Sequence, residues 1–267
     1  MSVNIGENGR RSVQVEVEVP GSPEEVWEAI ATGPGISSWF VPTEVEGRVG
    51  GAFTANFGPG MESTSTITQW DPPRSLIKDG DGMDPDAPPV ATEWIVEAKS
   101  GGKCLVRVVH SWFASSDEWD GQWEAVEQGW ISLFNILRLK LEHFPGRPGA
   151  AFEAAGISNV SESEAWAALT TPLGLTDAAA GQEVRPGTDN PALSGKVEVV
   201  GQSETKEVIL LTTEPGPGVC HLSAMPMGEQ VYLSIRFYLF GDNASGAVAN
   251  AEPEWGRWFA ERFPMGD

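Results

Sequence analysis

The feature that most constrains the fold is a motif that occurs once in each half of the chain. Both copies read Ser-x-x-Glu-x-Trp-x-Ala, starting at Ser22 and at Ser161, and Thr and Gly follow at matching positions. Ser-x-x-Glu is a capping box, which satisfies the free amides at the start of a helix. A second echo, Glu-x-Gly-Trp at Glu127 and Glu-Trp-Gly-x-Trp at Glu254, closes each half. Two echoes in the same order predict a duplicated domain.

The length of 267 residues suits two domains of ordinary size. The Pro-Gly-Arg-Pro-Gly run that begins at Pro145 is the natural linker. We therefore expect domains at 1–146 and 147–267.

The first half predicts a strand, helices, several strands and a long helix, in that order. Residues 12–19 alternate valine with polar residues, which is typical of a half-buried strand. Gly33-Pro34-Gly35 predicts the end of the capped helix, and a short second helix is expected around Trp39 and Phe40. Four further strands are predicted, at 52–57, 64–70, 90–98 and 103–113.

Residues 117–143 predict the strongest helix of the chain, because apolar side chains recur every three or four positions. The expected apolar stripe is Trp119, Trp123, Val126, Trp130, Leu133, Leu137 and Leu141. This helix is expected to lie across the open side of a curved sheet, since the apolar face of a sheet cannot cover itself. Between sheet and helix a cavity is expected.

The second half predicts a weaker version of the same plan. After the capped helix at Ser161 come a Gly-, Pro- and Asn-rich stretch at 177–194 and a short terminal helix near 252–263. Strands are predicted near 196–201, 206–213, 218–225 and 230–240. The fold class is α+β, with an antiparallel sheet and a closing helix present twice in tandem.

Charge and composition exclude several functions. The formal net charge is −21, which disfavours nucleic-acid phosphates and anionic lipid as partners. No apolar run is long enough to cross a bilayer and no signal peptide is recognised, so a cytoplasmic location is expected. Cys104 and Cys220 are read as buried free thiols, since their spacing suits neither a disulfide framework nor zinc. No metal and no cofactor is expected.

The first half resembles the START-like (SRPBCC, helix-grip) superfamily, most closely the branch named after the activator of the 90-kilodalton heat-shock-protein ATPase. The matching motifs occur in family order over about residues 11–144. They are the capped helix at Ser22, Trp39-Phe40, Val49-Gly50-Gly51-Ala52-Phe53, Asp71-Pro72-Pro73-Arg74-Ser75-Leu76 and Gly129-Trp130. The second half matches through its opening helix, strand count and final aromatic helix, and is read as a diverged copy.

The resemblance implies the helix-grip fold and a hydrophobic pocket, but it does not decide the function. Aromatic side chains and their neighbours are the candidate pocket lining, because an apolar wall with a few polar groups suits a small apolar ligand. The candidate ligand-binding residues are Trp39, Phe40, Phe53, Trp94, Val108, His110, Trp112, Trp123, Glu127, Trp130 and Phe134.

His110 and Glu127 are the candidate catalytic groups. Strand alternation puts His110 on the face of Val108 and Trp112, where it is either a general base or a core histidine bonded to a neighbour. Glu127 lies between Trp123 and Trp130 on the long helix. It is either a solvated helix charge or the partner of His110 in an acid–base pair.

Three functions are compatible with these patterns. The leading hypothesis is binding or carriage of a small hydrophobic molecule, aromatic or polyketide-like. The second is a cyclase, dehydratase or hydrolase that uses His110 and Glu127 in the same cavity. The third is a co-chaperone-like regulator that acts by surface contact, with a protein partner or as a homodimer.

Overall fold

The computed structural model describes residues 3–5, 10–58, 61–80, 88–113, 120–185, 187, 190–201 and 206–264, with only the backbone for residue 113 and residues 120–125. The chain divides into two compact units, Met1–Gly146 and Arg147–Asp267. Each unit has its own antiparallel sheet and its own long C-terminal helix.

In the first unit the described residues form three helices and eight strands. The helices are α1 (Pro23–Ala31), α2 (Gly33–Ser37) and α3 (Asp120–His143). The strands are β1 (Asn4–Ile5), β2 (Arg10–Pro20), β3 (Thr43–Val45), β4 (Ala52–Asn56), β5 (Glu62–Asp71), β6 (Ser75–Gly80), β7 (Val90–Lys99) and β8 (Lys103–Phe113).

The sheet of the first unit has the order β1-β2-β8-β7-β6-β5-β4-β3. The long first strand β2 thus pairs with the last strand β8, and β8 back to β3 form a meander. Helix α3 packs alongside β2, and its Trp130 reaches His110 of β8. This arrangement is the helix-grip fold, and it confirms the predicted placement of the long helix over the sheet.

The capping box of α1 forms as the sequence predicts. The amide of Glu25 donates to Ser22 Oγ at 3.3 Å, and the amide of Ser22 donates to the Glu25 carboxylate at 2.8 Å. Helix α1 ends at Ala31, directly before Gly33-Pro34-Gly35, as the sequence predicts. A short second helix is also present, but it begins earlier than expected, at Gly33, because Thr32 accepts the amide of Gly35 and caps it. Trp39 and Phe40 follow α2 instead of lying in it.

In the second unit the described residues form two helices and six strands. The helices are α4 (Glu162–Thr170) and α5 (Ala244–Arg262). The strands are β9 (Gly149–Ser158), β10 (Glu183–Val184), β11 (Ser194–Val200), β12 (Lys206–Glu214), β13 (Gly218–Met227) and β14 (Gln230–Phe240). Their order is β10-β11-β12-β13-β14-β9, so here too the first strand pairs with the last.

The two units therefore share one topology, and the tandem helix-grip prediction is confirmed. Several of their elements differ from the prediction. Strands β1, β3, β6, β9 and β10 are missing from it. The Ala-rich segment of β9 has little β-propensity and gains its order by pairing with β14. Helix α5 begins at Ala244, well before the predicted start at 252, and Pro253 lies inside it.

Helix α3 begins at Asp120 and ends at the predicted His143. Trp130, Leu137 and Leu141 of the expected stripe are buried, whereas Val126 and Leu133 are only partly buried. The side chains of Trp119 and Trp123 lie outside the described residues. Other apolar side chains of α3 that the stripe omits, among them Phe134 and Ile136, are buried, so α3 is covered over a wider face than the stripe predicts.

Candidate functional site

The candidate site begins with strand alternation in β7 and β8, which point every second side chain toward α3. Trp94 of β7 and Val108 and His110 of β8 lie on this inner face and are buried. Trp112 lies on the same face, where it packs with Val13 and Val90. The sequence parity argument placed all of these side chains correctly.

Five aromatic side chains and His110 form one contact network, which we call the aromatic cluster. Phe40 stacks on Trp130 with ring centroids 5.4 Å apart, and Trp94 meets Trp130 edge-on at 5.1 Å. Ring centroids at these separations are in packing contact. The members of the aromatic cluster are Trp39, Phe40, Trp94, His110, Trp130 and Phe134. These rings pack on one another, so a ligand between them would have to separate some of them.

His110 is held by hydrogen bonds at both ring nitrogens. Trp130 Nε1 donates to His110 Nε2 at 2.6 Å. An indole N–H can only donate, so Nε2 accepts and the ring proton lies on Nδ1. That nitrogen faces Thr92 Oγ1 at 3.0 Å, which accepts its proton. The sequence interpretation of a core histidine bonded to its neighbours describes this geometry.

Burial and, to a smaller extent, the charge of Lys78 lower the pKa of His110 from its ordinary value of 6.5 to about 3. Both causes disfavour the imidazolium form. His110 is therefore neutral at physiological pH, and its one basic nitrogen is already occupied by Trp130.

Glu127 is buried, with only 4% of its surface exposed, so its interpretation as a solvated helix charge is wrong. Glu127 lies on α3, one turn before Trp130. The local sequence pattern does not show that its side chain is buried. Trp123 is another candidate ligand-binding residue of α3, and its side chain lies outside the described part of the chain.

Sequence reasoning missed Lys78 of β6. Its ammonium lies 4.6 Å from the ring centroid of Phe53, a predicted lining residue of β4, and donates to Ser65 Oγ at 3.4 Å. Burial lowers the pKa of Lys78 to about 8. Leu76 belongs to the family motif and is buried. Because side chains two positions apart on a strand share a face, Leu76 could have placed Lys78 on the inner face.

One polar atom of the aromatic cluster has no partner among the described residues. Trp94 Nε1 is buried and meets no acceptor there, whereas Trp39 Nε1 donates to the carbonyl of Ala29 at 2.8 Å. A buried indole N–H without an acceptor is destabilising. The site therefore offers a hydrogen-bond donor that an acceptor atom can use.

The second unit contains a surface cavity of about 170 Å³ that the sequence did not predict. Its lining includes Trp166 of α4, Leu175, Asp177 and Glu207. This volume is below the range of about 300–1,000 Å³ that encloses a drug-sized ligand.

Metal chemistry receives no support from the part of the chain that is described. No group of three or more His, Cys, Asp or Glu side chains there could hold an ion. Cys104 and Cys220 are both buried and free, and burial raises the pKa of each thiol. No described helix is long and apolar enough to span a bilayer.

Comparison with protein families gives a match over residues 20–142, which run from the end of β2 to the last turn of α3. The family is described as Activator of Hsp90 ATPase homolog 1-like protein. The matched residues make up most of the first unit and less than half of the chain. The match confirms the resemblance drawn from the sequence motifs of the first half. No curated protein matches the chain in sequence.

Three solved structures align with the chain. Protein MLL2253 from Mesorhizobium loti is 19% identical, with 50% of this chain and 98% of that chain aligned at a TM-score of 0.45. The Aha1 dimer from Colwellia psychrerythraea is 20% identical over 51% and 98% of the two chains, at 0.42. The di-domain ARO/CYC BexL from the BE-7585A biosynthetic pathway is 13% identical over 96% and 100%, at 0.46. The functions that these names state belong to those proteins.

Proposed function

We propose that the first unit binds a small hydrophobic ligand, aromatic or polyketide-like, between its sheet and α3. The ligand would lie among the rings of the aromatic cluster and replace some of their contacts with its own. Binding or carriage of such a molecule needs an apolar, aromatic wall and few polar groups, and the cluster provides both.

The observation that carries the proposal is a continuous path of rings from the interior to the surface. His110 lies against Trp130 with centroids 5.7 Å apart, and Trp130 stacks on Phe40. Phe40 in turn meets Phe57 edge-on at 5.7 Å, and Phe57 is 46% exposed. A flat apolar molecule can follow this path by exchanging one ring contact for another, without crossing a polar barrier.

Trp94 supports a ligand that carries an acceptor as well as an apolar body. Its buried Nε1 proton has no partner in the described residues. A carbonyl or hydroxyl oxygen on the ligand would satisfy it, and such a bond contributes about 0.5–1.5 kcal/mol. Oxygenated aromatic and polyketide-like molecules have this combination of an apolar body and acceptor oxygens.

The enzymatic alternative receives less support from His110. A general base needs a free lone pair within reach of the proton that it removes. The Nε2 lone pair of His110 accepts from Trp130, and the low pKa of the ring weakens it as a base. His110 acts here as an orienting group that fixes the Trp130 indole.

Calorimetric titration with 2-naphthamide, a neutral aromatic amide, tests the proposal. We expect saturable binding to the full chain, with quenching of tryptophan fluorescence. Trp130→Phe should weaken binding about two- to tenfold, since an aromatic stacking pair contributes about 0.5–1.5 kcal/mol. Phenylalanine keeps most of the apolar bulk, so the fold should persist.

Trp27→Phe is the matched control, because Trp27 pairs with Trp70 at 5.0 Å in the same unit but outside the aromatic cluster. Its affinity for 2-naphthamide should stay within about twofold of the parent value. Absence of binding to the parent protein, or equal losses in both variants, would overturn the proposed site.

A further inference from the structure

A row of polar side chains crosses the inner face of the first sheet, one from each of four neighbouring strands. Thr92 of β7 is the cross-strand partner of both Lys78 in β6 and His110 in β8. Lys78 reaches Ser65 of β5 through its ammonium. We call Ser65, Lys78, Thr92 and His110 the polar row. Buried Leu76 and Trp94 lie beside it on the same face. Its His110 end lies under α3, through the bond with Trp130.

Lys78 is the one cation of the polar row, and no carboxylate among the described residues forms an ion pair with it. Its contacts there are Ser65 Oγ and the ring of Phe53, which is buried. The neighbouring acids Asp79 and Glu93 alternate to the opposite face of the sheet. His110, the nearest titratable member of the row, is neutral and cannot compensate the charge. A desolvated ammonium without a counter-ion is destabilising.

The second unit shows that the fold does not require this row. Glu16 pairs with Arg107 in the first unit as Glu153 pairs with Arg236 in the second, which aligns the two sheets. On that alignment the positions equivalent to Lys78, Thr92 and His110 are Thr212, Gly218 and Leu239. A sheet of the same topology therefore forms without the cation and without the histidine.

The part of the polar row formed by Lys78 and Thr92 lies at a useful distance from Trp94 of the aromatic cluster. Thr92 and Trp94 are two residues apart on β7 and point to the same face, which separates them by about 7 Å along the strand. One fused aromatic ring pair has about this length. A ligand whose rings lie against Trp94 and Trp130 can thus bring a terminal group to the Lys78 ammonium.

We propose that Lys78 forms an anion-binding subsite, which takes the carboxylate of a ligand whose apolar body occupies the aromatic cluster. This inference rests on the proposed function and adds the chemical class of the ligand, an aromatic or polyketide-like acid. Ser65 and Thr92 flank the ammonium and offer hydroxyl groups to the same carboxylate. Lys78 contributes the charge that compensates the carboxylate when both leave water.

Two probes of nearly the same shape test the subsite in the full chain, 2-naphthoate and the neutral 2-naphthamide. The parent protein should bind 2-naphthoate about tenfold or more tightly than 2-naphthamide, because a hydrogen bond to a charged group contributes about 1.5–3 kcal/mol. Lys78→Met should remove this preference and leave the affinity for 2-naphthamide within about twofold.

Lys140→Met is the matched control. Lys140 of α3 is buried and its pKa is likewise lowered by burial to about 8, but the opposite charge of Glu28 acts on it. This variant should keep the preference for 2-naphthoate. A thermal melt followed by circular dichroism checks the fold of both variants.

The outcomes separate this inference from the proposed function. Equal affinity of the parent protein for both probes, or an equal loss of both in Lys78→Met, would overturn the anion subsite and leave the apolar site standing. Failure of both probes to bind the parent protein would overturn the two proposals together.

Discussion

His110 shows how one residue can be fixed by its neighbours without taking part in chemistry. Its Nε2 accepts from Trp130 and its Nδ1 proton is accepted by Thr92. The bond from Trp130 needs an unprotonated Nε2, and the nearby Lys78 charge opposes protonation as well. The residue joins β7, β8 and α3 in one buried network, and protonation of the ring would break its link to α3.

The free energy of unfolding should therefore decrease as the pH is lowered through a range set by His110. The pKa is about 3 in the folded chain against an ordinary value of 6.5, so the unfolded chain binds the extra proton first. The contribution of the neutral ring is complete above pH 6.5 and is lost as the pH falls toward 3. Between pH 6.5 and 5 we expect the free energy of unfolding of the parent protein, relative to His110→Gln, to drop by about 2 kcal/mol.

Urea denaturation at several pH values measures the free energy of unfolding of both proteins. Subtracting one from the other cancels the contribution of the carboxylates that the two proteins share. A flat difference for His110→Gln would contradict the lowered pKa of His110 in the folded chain.

Alternation along single strands predicted the inner-face residues of the site, but it did not predict their partners. Trp94 and His110 follow directly from parity in β7 and β8. Lys78 was missed because β6 was not predicted and because a lysine is ordinarily solvated; its contact with Phe53 of β4 joins segments that are separate in sequence. The burial of Glu127 was likewise not visible in the local sequence pattern.

At the scale of elements, prediction succeeded where a pattern is local. The capping boxes and the alternating strands are local, and they form where expected, as the bond between the Glu164 amide and Ser161 shows again in α4. Strand β9 and the first part of α5 lack such a pattern. They are ordered by pairing with β14 and by packing on the sheet, which are contacts between distant segments.

Glycines at two elements should respond in opposite directions to the same substitution. Gly129 lies exposed within α3, and an added Cβ there meets no atom within 4 Å. Gly129→Ala should stabilise the protein by about 0.5–1 kcal/mol, because alanine reduces the freedom of the unfolded chain and favours the helix. Gly156 lies in β9, where a Cβ would overlap the carbonyl oxygen of Phe263. Gly156→Ala should destabilise by about 1–3 kcal/mol.

Denaturation midpoints from circular dichroism compare the two variants with the parent protein. Affinity for 2-naphthamide supplies a second readout for Gly129→Ala and should not change, since an exposed methyl group on α3 does not alter the aromatic cluster. A destabilising Gly129→Ala would mean that the glycine of the Gly129-Trp130 motif is required by contacts outside the described residues.

At the scale of the whole molecule, the repeated motif was the strongest predictor, because a duplication constrains the order of every element at once. Both units place their first strand beside their last. The divergence of the second unit cannot be located from the motif alone. It becomes visible when the sheets are aligned by register, where Thr212 and Leu239 replace Lys78 and His110.

The net charge of −21 should govern how fast an anionic ligand arrives, while the buried contacts govern how long it stays. Raising the ionic strength from 10 to 150 mM shortens the Debye length from about 30 to about 8 Å and screens the repulsion. The association rate constant of 2-naphthoate, measured by stopped-flow quenching of tryptophan fluorescence, should therefore rise about two- to tenfold. The dissociation rate should change little, since the ammonium of Lys78 is desolvated. Neutral 2-naphthamide is the control and should associate at a constant rate. A 2-naphthoate association rate that falls with salt would instead mean that a local positive potential, and not the overall charge, steers the ligand.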